Sequence, residues 1–102
     1  MKPETKFRQQ VVMPALKRLR DGGGKIKWFP IQQSSISGTP DLLLCCSGLF
    51  VALELKARGG RVSKLQAHQL KDVSDSLGYA AVVDESNWDD VLGIVTEMSY
   101  RG

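Results

Sequence analysis

Gly38-Thr39-Pro40-Asp41-Leu42-Leu43-Leu44-Cys45-Cys46-Ser47-Gly48-Leu49-Phe50-Val51-Ala52-Leu53-Glu54-Leu55-Lys56 is the stretch whose reading decides the fold. Two runs of apolar β-formers flank Ser47-Gly48, a two-residue turn signal, and so read as a β-hairpin. A tight turn sets Cys46 against Leu49, and the same register carried to the open end sets Asp41 opposite Glu54. Opposed residues of an antiparallel pair hold their Cβ atoms about 5 Å apart, where like charges repel. Lys56, two residues past Glu54, emerges on the same face. Stability alone does not select two carboxylates and an ammonium at the end of an apolar hairpin. A positive partner between the carboxylates relieves the repulsion, and a divalent metal is the usual one.

Working outward, Glu4 lies in an early helix, Gly38-Thr39-Pro40-Asp41 forms a G-x-P-D box, Glu54-Leu55-Lys56 an E-x-K strand, and Ser63-Lys64-Leu65-Gln66 opens the next helix. In that order, these four elements resemble the VRR-NUC (virus-type replication-repair nuclease) branch of the PD-(D/E)xK nuclease superfamily. The resemblance spans residues 4 to 83. It implies a restriction-endonuclease-like core and Mg²⁺ or Mn²⁺ held by Asp41, Glu54 and the Leu55 carbonyl, with Glu4 as a further ligand. It also implies hydrolysis of DNA phosphodiester bonds, with catalytic roles for Glu4, Asp41, Glu54, Lys56 and Gln66. Lys56 orients or deprotonates the attacking water, or stabilises the transition state, and Gln66 helps to position it. Stand-alone members of the branch are associated with branched or junction DNA and with homodimers.

The totals fit one small domain over residues 1–102, with no room for a second core. No apolar run approaches the ~20 residues of a membrane span and no signal-peptide pattern is present, so the expected location is the cytoplasm. Cys45 and Cys46 are adjacent in a strand, point to opposite faces and cannot bridge each other. Both are expected to be small buried hydrophobes. The net charge of +3 understates its arrangement. Residues 1–27 hold eight basic and two acidic side chains, and residues 56–71 five basic and none acidic. Residues 72–97 hold seven acidic side chains and none basic. A basic half facing phosphates suits nucleic acid, and Arg58, Arg61, Lys64, His68 and Lys71 are the candidate contacts.

Along the chain, Phe7, Val11, Ala15, Leu16 and Leu19 predict a helix over 4–20, kinked at Pro14, with Glu4 on its inward stripe. Asp21 to Gly24 ends it, and 25–31 reads as a first strand in which Trp28 and Phe29 are expected to serve the core rather than stack on bases. Residues 32–37 read as a polar loop and 58–61 as a mobile basic one. Both faces of the hairpin are apolar, so helices must flank the sheet on both sides. Ser63 caps a helix to about Leu77 with Gly78 as its stop, and Ser63-x-x-Gln66 is a capping box. His68, the one histidine, has no metal-ligand spacing around it and reads as solvated or close to a phosphate. A strand at Tyr79–Val83 and a last helix capped by Ser86, with Val91, Ile94 and Val95 inward, complete an α-β-β-β-α-β-α order. Trp88 and Tyr100 are candidates for either core or interface.

The sequence thus points to an α/β metal-dependent endonuclease. Two other readings stay open at this level. One is a catalytically silent nucleic-acid-binding module on the same fold. The other is an interaction subunit whose charged cluster is an internal salt bridge.

Overall fold

The computed structural model describes residues 1–32 and 35–101. A long N-terminal helix, three antiparallel strands, a crossover helix, a parallel strand and a final helix follow one another. The strands are β1 (Ile26–Pro30), β2 (Leu42–Cys46), β3 (Leu49–Leu55) and β4 (Tyr79–Val83), in the sheet order β1-β2-β3-β4. Pairing is antiparallel from β1 to β3 and parallel between β3 and β4, giving the expected mixed four-stranded sheet. Ser47 and Gly48 both have positive φ, as a two-residue turn matched to the strand twist requires. Leu42 therefore pairs with Leu53 and Cys46 with Leu49, the register that sets Asp41 beside Glu54. Pro30 sits at the end of β1, an edge strand, where its missing N–H leaves no ladder bond unmade.

The N-terminal helix is not a single α-helix. Pro3–Phe7 (α1) and Met13–Asp21 (α2) are joined by a π-helical turn at Arg8–Val12, closed by the Met13 N–H on the Arg8 carbonyl. Pro14 lacks the N–H that would serve the Gln10 carbonyl, and the wider turn stands next to this defect. The extra residue shifts the inward stripe. Val12 is fully buried and Val11 is 38% exposed, whereas an unbroken α-helix would bury Val11.

Helices α1, α2 and α4 (Trp88–Ser99) cover one face of the sheet. The main core there joins Phe7, Val12, Leu16 and Leu19 to Leu42, Leu44, Val51, Leu53, Leu55 and Val83, and to Trp88, Val91, Val95 and Met98. Trp88 is buried edge-on against Phe7 and is core rather than interface. Ile94 is 40% exposed, because the inward stripe of α4 runs Trp88, Val91, Val95, Met98 and leaves Ile94 at its margin. Asn87, not Ser86, precedes this helix. Ser86 is occupied with the Asp84 carboxylate, and Asn87 bridges the Asp84 N–H and the Val82 carbonyl.

Helix α3 (Lys64–Asp75) covers the opposite face only over β3 and β4. Cover on both sides is thus incomplete: Phe29, Cys45 and Phe50 stay exposed on the half of that face built by β1 and β2. Of the two cysteines, Cys46 is buried and Cys45 is exposed, and both are free thiols. The stop of α3 also differs from expectation. Leu77 takes the left-handed conformation (φ 70°), while Gly78 is needed because a Cβ there would lie 2.8 Å from Val73 and 3.1 Å from the Phe50 carbonyl. Of the polar loop over 32–37, Gln33 and Ser34 lie outside the described residues.

Candidate metal centre

The charged residues of the hairpin meet at the end of the sheet where the apolar cover stops. Asp41 stands just before β2 and is tied to β1 by its carbonyl, which accepts the Ile31 N–H at 2.7 Å. Its Oδ2 accepts the Leu55 N–H at 2.9 Å, locking the carboxylate onto β3. A strand residue sends its N–H and C=O to the same edge, so the Leu55 carbonyl opens toward the Asp41 side as well. Lys56 turns its own N–H the other way, to the Val83 carbonyl of β4 at 2.8 Å.

Glu54 is the centre of the arrangement. It is 2% exposed, the one buried carboxylate among the described residues. Its Oε2 accepts from Gln66 Nε2 at 3.1 Å and pairs with Lys56 Nζ at 3.5 Å. Its Oε1 is buried with no hydrogen-bond partner. Burial, then the neighbouring Asp41, push the Glu54 carboxyl up to about 8, with Lys56 pulling the other way.

Glu4 completes the set from the first turn of α1. One carboxylate oxygen each from Glu4, Asp41 and Glu54 lies within 4.8 Å of the other two. At an effective dielectric constant of 20, two full charges at that distance repel by ~3 kcal/mol. A single ammonium, Lys56, does not offset the three once all are ionised. The Glu4 side chain is half-buried and faces the other two carboxylates. A hard divalent cation takes oxygen ligands of this kind, and an orphaned buried carboxylate oxygen is the mark of a missing partner. The residues fit a hard divalent cation.

Gln66 closes the capping box and also reaches Glu54. The Ser63 hydroxyl accepts the Gln66 N–H at 3.1 Å and Gln66 Oε1 accepts the Ser63 N–H at 2.9 Å, which closes the capping box. The other end of the amide serves Glu54. Sequence reasoning missed what brings α3 to this spot. Gly38 has φ +79°, and a Cβ there would lie 2.6 Å from the Leu65 carbonyl carbon and 2.9 Å from the Gln66 N. The glycine of the G-x-P-D box is thus the point at which the loop and the start of α3 touch backbone to backbone. Gln69 adds a bond to the Ser37 carbonyl at 3.3 Å.

The basic candidates divide into two groups. Arg61 and Lys64 are exposed beside the start of α3 and form no ion pair among the described residues. His68 is solvent-exposed but lies 3.3 Å from Asp72, and Lys71 pairs with Asp75, so α3 neutralises its own second half. Arg58 belongs to a turn closed by the Gly60 N–H on the Ala57 carbonyl. The Ser86 hydroxyl and N–H hold the Asp84 carboxyl below the usual range, and the Arg58 charge contributes a little to this.

No helix among the described residues is long and apolar enough to cross a membrane. No protein-family model, curated protein or solved structure matches this chain.

Proposed function

We propose that this chain is a metal-dependent DNA endonuclease of the VRR-NUC kind. The observation that carries the reading is the buried, unpartnered Oε1 of Glu54 at the meeting point of three carboxylates, with Lys56 alongside. Asp41, Glu54, Glu4 and the Leu55 carbonyl would hold Mg²⁺ or Mn²⁺. Such a cation lowers the pKa of a coordinated water and offsets charge gathering on the phosphate.

The chain's own residues supply the rest. Gln66 and the Leu55 N–H fix the two central carboxylates, so little reorganisation accompanies the reaction. Lys56, 84% shielded and drawn toward Glu54, would offer one ammonium to a phosphate oxygen or attacking water bound there. Arg61 and Lys64 offer free cations on the approach to that place. The resemblance further implies branched or junction DNA as substrate and a homodimer.

A closed internal salt bridge is the strongest rival, favoured by the 3.5 Å Glu54–Lys56 pair. It leaves Oε1 of Glu54 buried without a partner, a cost of about 1–3 kcal/mol. The test is incubation of purified protein with labelled flap, nicked, junction and plain duplex DNA in Mg²⁺, Mn²⁺ or EDTA. Cleavage in metal, none in EDTA and none by Asp41→Ala is the expected outcome. An intact DNA panel under every condition, or equal cutting by Asp41→Ala, overturns the reading.

A further inference from the structure

Resting on the nuclease reading, the open half of the sheet face carries a second function. The register sets Phe29 beside Leu43 and Leu43 beside Ala52, and Lys27 beside Cys45 and Cys45 beside Phe50. Side chains alternate along a strand, so Glu54, two residues past Ala52, and Asp41, two before Leu43, share that face. Phe29 is 54% exposed, Phe50 48%, and Lys27 Nζ stands 5.2 Å from the centre of the Phe29 ring. One half-exposed phenylalanine says little, but this one belongs to a continuous apolar strip leading to the carboxylates.

We propose that Phe29 is a stacking platform for an unpaired nucleobase flanking the phosphate at the carboxylate cluster, so that the substrate is DNA with unpaired nucleotides. Cross-strand and along-strand spacings put Phe29 on the order of 10 Å from Asp41. At a 3.4 Å rise, that is two or three base steps from the phosphate being cut. In an intact duplex every base face is already covered by its neighbours. A phenyl ring can accept only a base that has left the stack. Lys27 beside the ring supplies the cation for the adjoining phosphate. Neither β1 nor β2 carries an acidic residue, so the strip repels no phosphate. At the far end, Asp72 borders the cleft beside Phe50, which directs the strand to Phe29 instead. A second copy of the chain is the poorer occupant. Phe29, Leu43, Cys45 and Phe50 are four side chains, against the 20–30 residues a side of a typical stable interface.

The experiment measures anisotropy of labelled flapped and fully paired DNA in EDTA, with wild type, Phe29→Leu and Phe29→Trp, folding being checked by melting temperature. Wild type binds the flapped DNA more tightly, Phe29→Leu loses ~10-fold on the flapped DNA alone, and Phe29→Trp keeps the preference. Equal affinity of wild type and Phe29→Leu for flapped DNA overturns the proposal. So does a wild type that forms dimers in sedimentation while Phe29→Leu does not, because the strip then joins copies. A chain that keeps the Phe29-dependent preference yet never cuts in Mn²⁺ retains the stacking site and loses the nuclease reading, which separates the two failures.

Discussion

Gln66 holds Glu54 with one end of its amide and Ser63 with the other. Helix start and carboxylate cluster are therefore coupled through one side chain, and two substitutions separate the roles. Ser63→Ala removes only the cap and is expected to lower stability by about 1 kcal/mol while sparing cleavage. Gln66→Ala removes the cap bond and the donor to a buried carboxylate, so melting temperature and cleavage rate fall together. Thermal denaturation and single-turnover cleavage of the two variants check this.

The metal-free protein is expected to lose stability as pH rises. The Glu54 carboxyl titrates at about 8 in the fold, against 4.5 for an ordinary glutamate. Between those values the folded state binds more protons than the unfolded one, so unfolding free energy falls with pH and levels off above about 8. Glu54→Gln flattens the slope. A divalent cation needs the ionised carboxylate, so the rise in melting temperature with Mn²⁺ grows from pH 5 to pH 8. Melting curves in EDTA and Mn²⁺ at three pH values measure both effects.

Lys56→Ala is expected to leave DNA affinity nearly unchanged and to slow cleavage by roughly a hundredfold or more, the scale of losing a positioned charge or proton-transfer group. Lys56→Arg does not restore the rate, because a guanidinium is broader and keeps its proton. A wild-type cleavage rate in Lys56→Ala refutes a catalytic role for the lysine.

Arg61→Ala and Lys64→Ala are expected to weaken DNA binding for all sequences and to flatten its dependence on salt. Lys71→Ala changes the slope less, because Asp75 already pairs with that ammonium. Binding isotherms from low to moderate salt rank the three.

Leu77→Gly is expected to stabilise the fold by about 1 kcal/mol. Leu77 is 92% exposed with φ 70°, so it contributes little burial and holds a backbone conformation that glycine adopts freely. Chemical denaturation compares the two proteins, and a destabilised variant refutes the strain.

The hairpin was legible because Ser47-Gly48 admits one tight turn, and that turn alone sets Asp41 beside Glu54. Lys56 and the double role of Gln66 followed from strand and helix spacing. The apolar alternation of β1, β2 and β3 did not say which half of the face α3 covers, so Phe29 and Cys45 read as buried. Ile94 failed similarly, being one residue off the stripe that α4 turns inward. For Gly38 the sequence offers a glycine, but a backbone contact to a residue far along the chain leaves no local pattern.

The π-helical turn amounts to a phase slip of one residue between two helical rulers. Phe7 and Val12 stand five apart, yet both are buried, and Gln9 and Gln10 bulge toward water. Loss of one of those glutamines would leave Phe7 and Val12 four apart, the ordinary α-helical repeat. The azimuth of Glu4 against Asp41 would survive that deletion. Tightening the turn to α-helix with every residue retained would instead swing Glu4 about 100° around the axis. At this place the orientation of Glu4 tolerates a shorter chain better than a more regular one.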